Sequence, residues 1–147
     1  MKQEQRKGIE KMEEHDEGFD GLRLVVTPGG LWRAAPVREQ PHAVLHDWQV
    51  HQLDNGDRHL VGWCEDQQEG RVTSRIVAFD AATRSCKTQS GRVYALRGPA
   101  GWNGDAQYVW ARWQQLFRVQ DPIEVSAEVE KAIAEAAGAR GAKGSNQ

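Results

Sequence analysis

HDWQVHQLDNGDRHLVGWC, His46 to Cys64, holds three of the five histidines, three aspartates and one of the two cysteines of a 147-residue chain. As side-chain chemistry this is the composition of an active or metal site. As backbone it is an alternating pattern around Asn55-Gly56, the dipeptide favoured in two-residue type I′ hairpin loops because both positions take positive φ. Such a loop pairs Trp48 with Trp63 and Val50 with Val61. One face then carries His46, Trp48, Val50, Val61 and Trp63, and the other Asp47, Gln49, His51, Arg58, Leu60 and Gly62. A three-residue loop would set Trp48 against Gly62 and scatter the apolar side chains over both faces. Register follows the buried face, so the two-residue loop is expected.

That register separates the reactive groups. His51 and Cys64 lie about 13 Å apart on one face, and His46 and His59 about 20 Å apart on the other, at ~3.3 Å per residue. Zinc ligands must sit ~2.0–2.3 Å from one ion. The sequence therefore predicts polar strand positions here, with no metal site, no cofactor, and the indoles of Trp48 and Trp63 side by side beneath a docked helix.

Working outward, Arg71–Asp80 reads as the next strand, and the Asp80 side chain starts a turn by accepting from the backbone two residues on. Residues 84–89 form a shorter strand, Ser90-Gly91 a turn, and residues 92–98 the last strand. Short connections make neighbouring strands antiparallel, which gives a five-stranded meander over 43–97. The alternation of Leu22, Leu24 and Val26, broken at Pro28-Gly29-Gly30, adds a hairpin over 21–35. Val109, Trp113, Leu116 and Phe117, widened by Tyr108, Trp110 and Ala111, form the apolar stripe of a helix over 104–118 capped by Asn103 or Asp105. A thinner stripe, Val125, Val129 and Ile133, marks a second helix starting at Asp121-Pro122.

The fold class expected is α+β: an antiparallel β-meander of five to seven strands with one amphipathic, Trp-rich helix packed on it and a weaker C-terminal helix. The expected organisation is a flexible charged arm over 1–20, one globular domain over 21–118, a peripheral helix over 119–137 and a flexible tail over 138–147. Two cysteines do not make a disulfide framework, and no apolar run reaches the ~18 residues of a membrane helix. With no secretory h-region at the N-terminus, the expectation is a soluble cytoplasmic protein without membrane contact. The net charge of −2 divides into −4 over 1–57, +4 over 58–118 and −2 over 119–147. None of these fields is strong enough to announce nucleic-acid binding.

Cys64 and Cys86 fall within strands, where cysteine serves as a small apolar filler. Asp54 and Asp57 sit at a hairpin tip and Glu65, Asp66 and Glu69 in a loop, as solvated turn residues do. No catalytic residue is assigned. Six tryptophans stand out. Trp102, in the Gly-rich break, and Trp110, on the flank of the helical stripe, lie near Arg97 and Arg112, and aromatics with arginine are enriched at binding hot spots. The competing reading folds Trp102 back as a lid on the sheet edge.

The segments Gly70–Arg84 (GRVTSRIVAFDAATR) and Ser90–Trp113 (SGRVYALRGPAGWNGDAQYVWARW) resemble a group of short proteobacterial proteins without assigned activity. The resemblance covers about residues 43–118, implies an accessory or mobile-element protein, and supplies no site residues. The expected function is thus a small non-catalytic binding or interaction protein. Its binding residues are Trp102, Arg97, Arg112 and Trp110, its partner is a protein, and open strand edges favour homo-oligomers. Two alternatives stand beside it. One is a single-stranded nucleic-acid-binding module using aromatics and arginines on one sheet face. The other is an enzyme using His46, Asp47 and His51.

Overall fold

The structure is a computed structural model that describes residues 24–27, 30–33, 37 and 40–145, with side chains described for residue 37 and for 40–139. The expected arm over 1–20, the turn at Pro28-Gly29 and the packing of Trp32 lie outside these. Eight strands are described: β1 (Leu24–Thr27), β2 (Gly30–Arg33), β3 (His42–Gln52), β4 (Arg58–Cys64), β5 (Glu69–Asp80), β6 (Ser85–Thr88), β7 (Val93–Leu96) and β8 (Ile123–Glu124). Two helices follow the main sheet, α1 (Gly104–Leu116) and α2 (Ser126–Ser145).

Strands β3 to β7 run in the expected meander order, but the meander is not open. β7 returns to pair in parallel with β3, Ala43 opposite Tyr94 and Leu45 opposite Leu96, and closes a five-stranded barrel. The long strand β5 makes closure possible by serving two neighbours in turn. Its first half pairs with β4 and its second half with β6, with an irregularity between Ile76 and Ala78 where the strand redirects. Closure removes the open meander edges on which the expectation of self-association rested. The β1–β2 hairpin is present as expected and docks antiparallel on β5, outside the barrel.

The hairpin register differs from the expected one. Val50 pairs with Leu60, His51 with His59 and Gln52 with Arg58, and Leu53 N–H donates to Asp57 C=O at 2.8 Å. The loop is therefore three residues, with Gly56 at φ 93° in the left-handed position that glycine takes without steric cost. The feared scattering of apolar side chains is avoided by a β-bulge. The register shifts between His46 and Gln49, and Asp47 adopts φ 48°. One extra residue restores inward alternation, so Leu45, Trp48 and Val50 all face the interior. Trp48 and Trp63 accordingly do not lie side by side: Trp48 is fully buried inside, and Trp63 is half-buried on the outside opposite His46.

Leu45, Trp48, Val50, Leu60, Cys64, Cys86, Tyr94 and Leu96 fill the barrel, and Val129 and Ile133 of α2 join them. The second helix is thus not peripheral. Its first turn is tied to β3, where Val50 N–H donates to Ser126 Oγ at 3.0 Å and Val125 N–H to Val50 C=O at 2.8 Å. It also continues to Ser145, through most of the expected tail. The barrel interior holds an ion pair as well, Arg71 with Glu69 at 2.5 Å, with the Arg71 side chain wholly buried.

Helix α1 packs across the outer face of β4 and β5, where Val61 and Val72 meet Ala106, Val109, Trp110 and Trp113. Asn103 caps it, its side chain accepting from Ala106 N–H at 2.9 Å. The approach is close enough that a Cβ at Gly70 would lie 2.4 Å from Ala106 N.

Candidate functional site

The corrected register gathers side chains that the expected one held apart. His51 on β3 stands opposite His59 on β4, and His59 opposite Arg75 on β5, forming a row across three strands on the outer face. Helix α1 lays its rings over this row. The His51 ring stacks on Trp110 at 4.6 Å, Trp110 on Trp113 at 5.6 Å, and Trp113 packs at 4.7 Å on His59 and 4.6 Å on Phe117.

Both imidazoles are oriented by hydrogen bonds. His59 Nδ1 donates to Thr73 C=O at 2.8 Å. His51 Nε2 donates to Gln49 Oε1 at 3.0 Å, which also accepts from Gln107 Nε2 at 2.8 Å. Burial lowers the pKa of His51 below its ordinary value, outweighing the opposite pull of Glu124. His51 is therefore a neutral, fixed part of the helix–sheet interface.

Where α1 ends, the row opens into a cleft of about 520 Å³. It is lined by His59, Trp113 and Phe117, by Arg75 and Arg118, and by Asp54 and Asp57 of the hairpin turn. The helix stops there in a Schellman arrangement. Val119 N–H reaches Gln114 C=O at 2.9 Å, Arg118 N–H reaches Gln115 C=O at 3.4 Å, and Arg118 takes φ 52°. Sequence reading missed this cleft, treating Asp54 and Asp57 as turn residues and leaving Arg118 without a role.

At the other end of α1 lies the expected patch, in part. Trp102 is 68% exposed, so it is not folded back as a lid. Its ring rests by the first helical turn, 3.6 Å from the position of a Cβ on Gly104. Arg112 is exposed two turns along α1 and makes no ion pair among the described residues. Trp110, however, is 5% exposed in the ring stack and does not belong to a surface patch. Tyr108 is 53% exposed. With Gly104 and Ala106 fixing the helical phase, Asp105, Tyr108 and Arg112 share the outward side. Arg97 lies apart from this ridge in one respect: its guanidinium is engaged by Glu65 at 3.2 Å, and Glu65 also contacts His46 Nε2.

The backbone under Trp102 is tightly held. Trp48 Nε1 donates to Gly98 C=O at 3.0 Å, Arg84 Nη2 to the same oxygen at 2.6 Å, Ala100 N–H to Glu130 Oε2 at 2.8 Å and Gly101 N–H to Trp48 C=O at 3.0 Å. The segment between β7 and α1 is thus a strap anchored to the barrel interior, to β3 and to α2.

The enzyme candidates do not assemble. His46 is occupied by Glu65, Asp47 sits in the bulge against Gly101, and His51 lies under Trp110. None of the three lines the cleft at the end of α1 or the smaller one beside His42 and Asp66. Among the described residues no group of three or more His, Cys, Asp or Glu could hold a metal ion. Burial raises the pKa of Cys64 and pushes that of Cys86 up to about 12, so neither thiol is activated. Helix α1 covers the outer face of β4 and the first half of β5, and Arg71 and Arg92 are buried. No helix among the described residues is long and apolar enough to cross a membrane.

The chain matches no family model, no curated protein and no solved structure.

Proposed function

We propose that this chain is a non-catalytic protein-interaction module that presents the ridge of Trp102, Tyr108 and Arg112 to a protein partner. The observation that carries the reading is the combination of exposure and rigidity at Trp102. An indole 68% exposed is costly to hydrate, and its backbone is held by a strap anchored at four hydrogen bonds. A preorganised aromatic anchor loses little entropy on binding, which is how a few residues come to dominate an interface. The partner face that fits is an apolar pocket sized for an indole, with a carboxylate placed to meet Arg112. Arg97, linked to Glu65, lies at the margin of such an interface.

The test is affinity purification from the producing organism with the wild-type chain, Trp102→Ala and Arg112→Ala, followed by mass spectrometry. The partner retained by wild type is lost by Trp102→Ala and weakened by Arg112→Ala, while circular dichroism of both variants matches wild type. Equal retention by all three chains contradicts the proposal.

A further inference from the structure

Three side chains hold the strap that carries Trp102, and they come from different parts of the fold. Trp48 donates to Gly98 C=O from inside the barrel, where it is fully buried. Arg84, in the turn before β6, donates to the same oxygen and to Leu96 C=O at 3.0 Å. Glu130 stands on α2, and its carboxylate accepts from Ala100 N–H at 2.8 Å. Ala100 lies two residues before Trp102, nearer to the exposed indole than Gly98.

The position of that carboxylate is set by how α2 is seated. Ser126 Oγ, accepting from Val50 N–H at 3.0 Å, fixes the helix along its axis. Val129 and Ile133, one residue before Glu130 and three after it, are buried in the barrel core and fix its rotation. Ala100 packs against the same core. An ionised acceptor makes a stronger bond to an amide than a neutral one. The strap has a left-handed start at Gly98, φ 71°, a conformation that glycine takes at no steric cost and does not by itself lock. Its path to Trp102 is therefore set by what it is bonded to.

We infer that Glu130 is a positioning residue for the Trp102 ridge, through which the docking of α2 on the barrel sets the presentation of the indole. The inference rests on the reading of the ridge as a binding surface. With the Ala100 bond in place, the strap is held on both sides of its midpoint. Without it, Ala100 N–H is released and the indole samples orientations that do not enter a partner's pocket. Apparent affinity then falls with the fraction of time spent in the competent one.

The experiment is nitrogen-15 relaxation of the full chain, read at the Trp102 indole N–H and at the amides of residues 100–102, with quantitative retention of the partner captured by wild type as a second readout. The variants are Glu130→Ala, Glu130→Gln, Glu130→Asp and Glu135→Ala. In Glu130→Ala the order parameters fall from the rigid value of about 0.85 toward 0.6 or below, and partner affinity falls about tenfold. Glu130→Gln keeps an oxygen at the same reach and retains most of both. Glu130→Asp draws the acceptor back by one methylene and gives an intermediate loss, so the result does not rest on one variant. Glu135→Ala removes the same charge from an exposed position of the same helix and changes neither readout. Wild-type order at Trp102 in Glu130→Ala overturns the inference, even with a lowered Tm, which is the mark of a merely structural Glu130. An equal loss of order in Glu135→Ala also overturns it. The relaxation readout needs no partner, so this failure is distinct from failure of the ridge itself, which shows as undiminished retention by Trp102→Ala.

Discussion

His51 and His59 face each other directly across β3 and β4, and each packs against a different tryptophan of the same helix, Trp110 and Trp113. Together they form the surface on which α1 is seated, and the seat ends in the cleft beside Arg75. The surfaces at both ends of α1 therefore depend on how these two rings are held.

Stability should depend on the protonation of His51. Burial holds its pKa below the ordinary 6.5. Above that value the ring is neutral in both folded and unfolded chains, and its contribution is complete. As pH falls below it, the unfolded chain takes up the proton first, so stability is lost by up to about 1.4 kcal/mol per pH unit from this group. Denaturant unfolding between pH 7 and pH 5 should show this decline. His51→Phe, which keeps a ring over Trp110 but cannot titrate, should flatten it.

Gly70 is the point of closest approach between α1 and the sheet. In Gly70→Ala the added methyl would lie 2.4 Å from Ala106 N and 2.5 Å from Asp105 C, backbone atoms of the first helical turn that cannot rotate away. The helix must shift, at a cost of about 1–3 kcal/mol or more. Urea unfolding should show that loss, together with a changed near-ultraviolet tryptophan signal.

Glu69 balances a cation sealed in the barrel. Burial opposes the charge on Arg71, but Tyr94, Cys64 and Glu69 around it outweigh burial and raise its pKa, so the guanidinium stays charged. Glu69→Ala leaves that charge without its counter-ion and should cost about 3–5 kcal/mol. Replacing both Glu69 and Arg71 by apolar residues of matching volume should recover much of the loss, measured by the same unfolding titration.

The tryptophans should separate into two classes. Trp48→Ala empties the barrel interior and removes the indole bond to Gly98, for a loss of about 3–5 kcal/mol. Trp102→Ala, at a surface position, should change stability by no more than about 0.5 kcal/mol. Thermal unfolding of both variants checks the contrast.

Much of this fold was legible in the sequence. Asn55-Gly56 located the hairpin, short connections gave the strand order, and the capping Asn103 and apolar stripe gave α1. The register was not legible, because two-residue and three-residue loops suit the same dipeptide and the choice rested on a bulge at Asp47 eight residues away. Parallel pairing of β3 with β7 leaves no local signal, since its partners are about fifty residues apart in the chain. Of the residues expected to bind, Trp102 and Arg112 are exposed and Trp110 is buried, and the exposed Tyr108 was not singled out. The helical period already set Trp110 beside Val109 and Trp113, on the buried side. The cleft could not be read, because it assembles from β4, β5, the turn after β6 and the end of α1.

The central claim is that the three-residue loop and the Asp47 bulge place both imidazoles beneath α1. A nuclear Overhauser spectrum of the folded chain tests it most directly. The account predicts Hα–Hα cross-peaks between Val50 and Leu60 and between Gln52 and Arg58, with His51 ring protons in contact with Trp110 and those of His59 with Trp113. Cross-peaks joining His51 Hα to Leu60 Hα and Leu53 Hα to Arg58 Hα, with no contact between the His59 ring and Trp113, would contradict it.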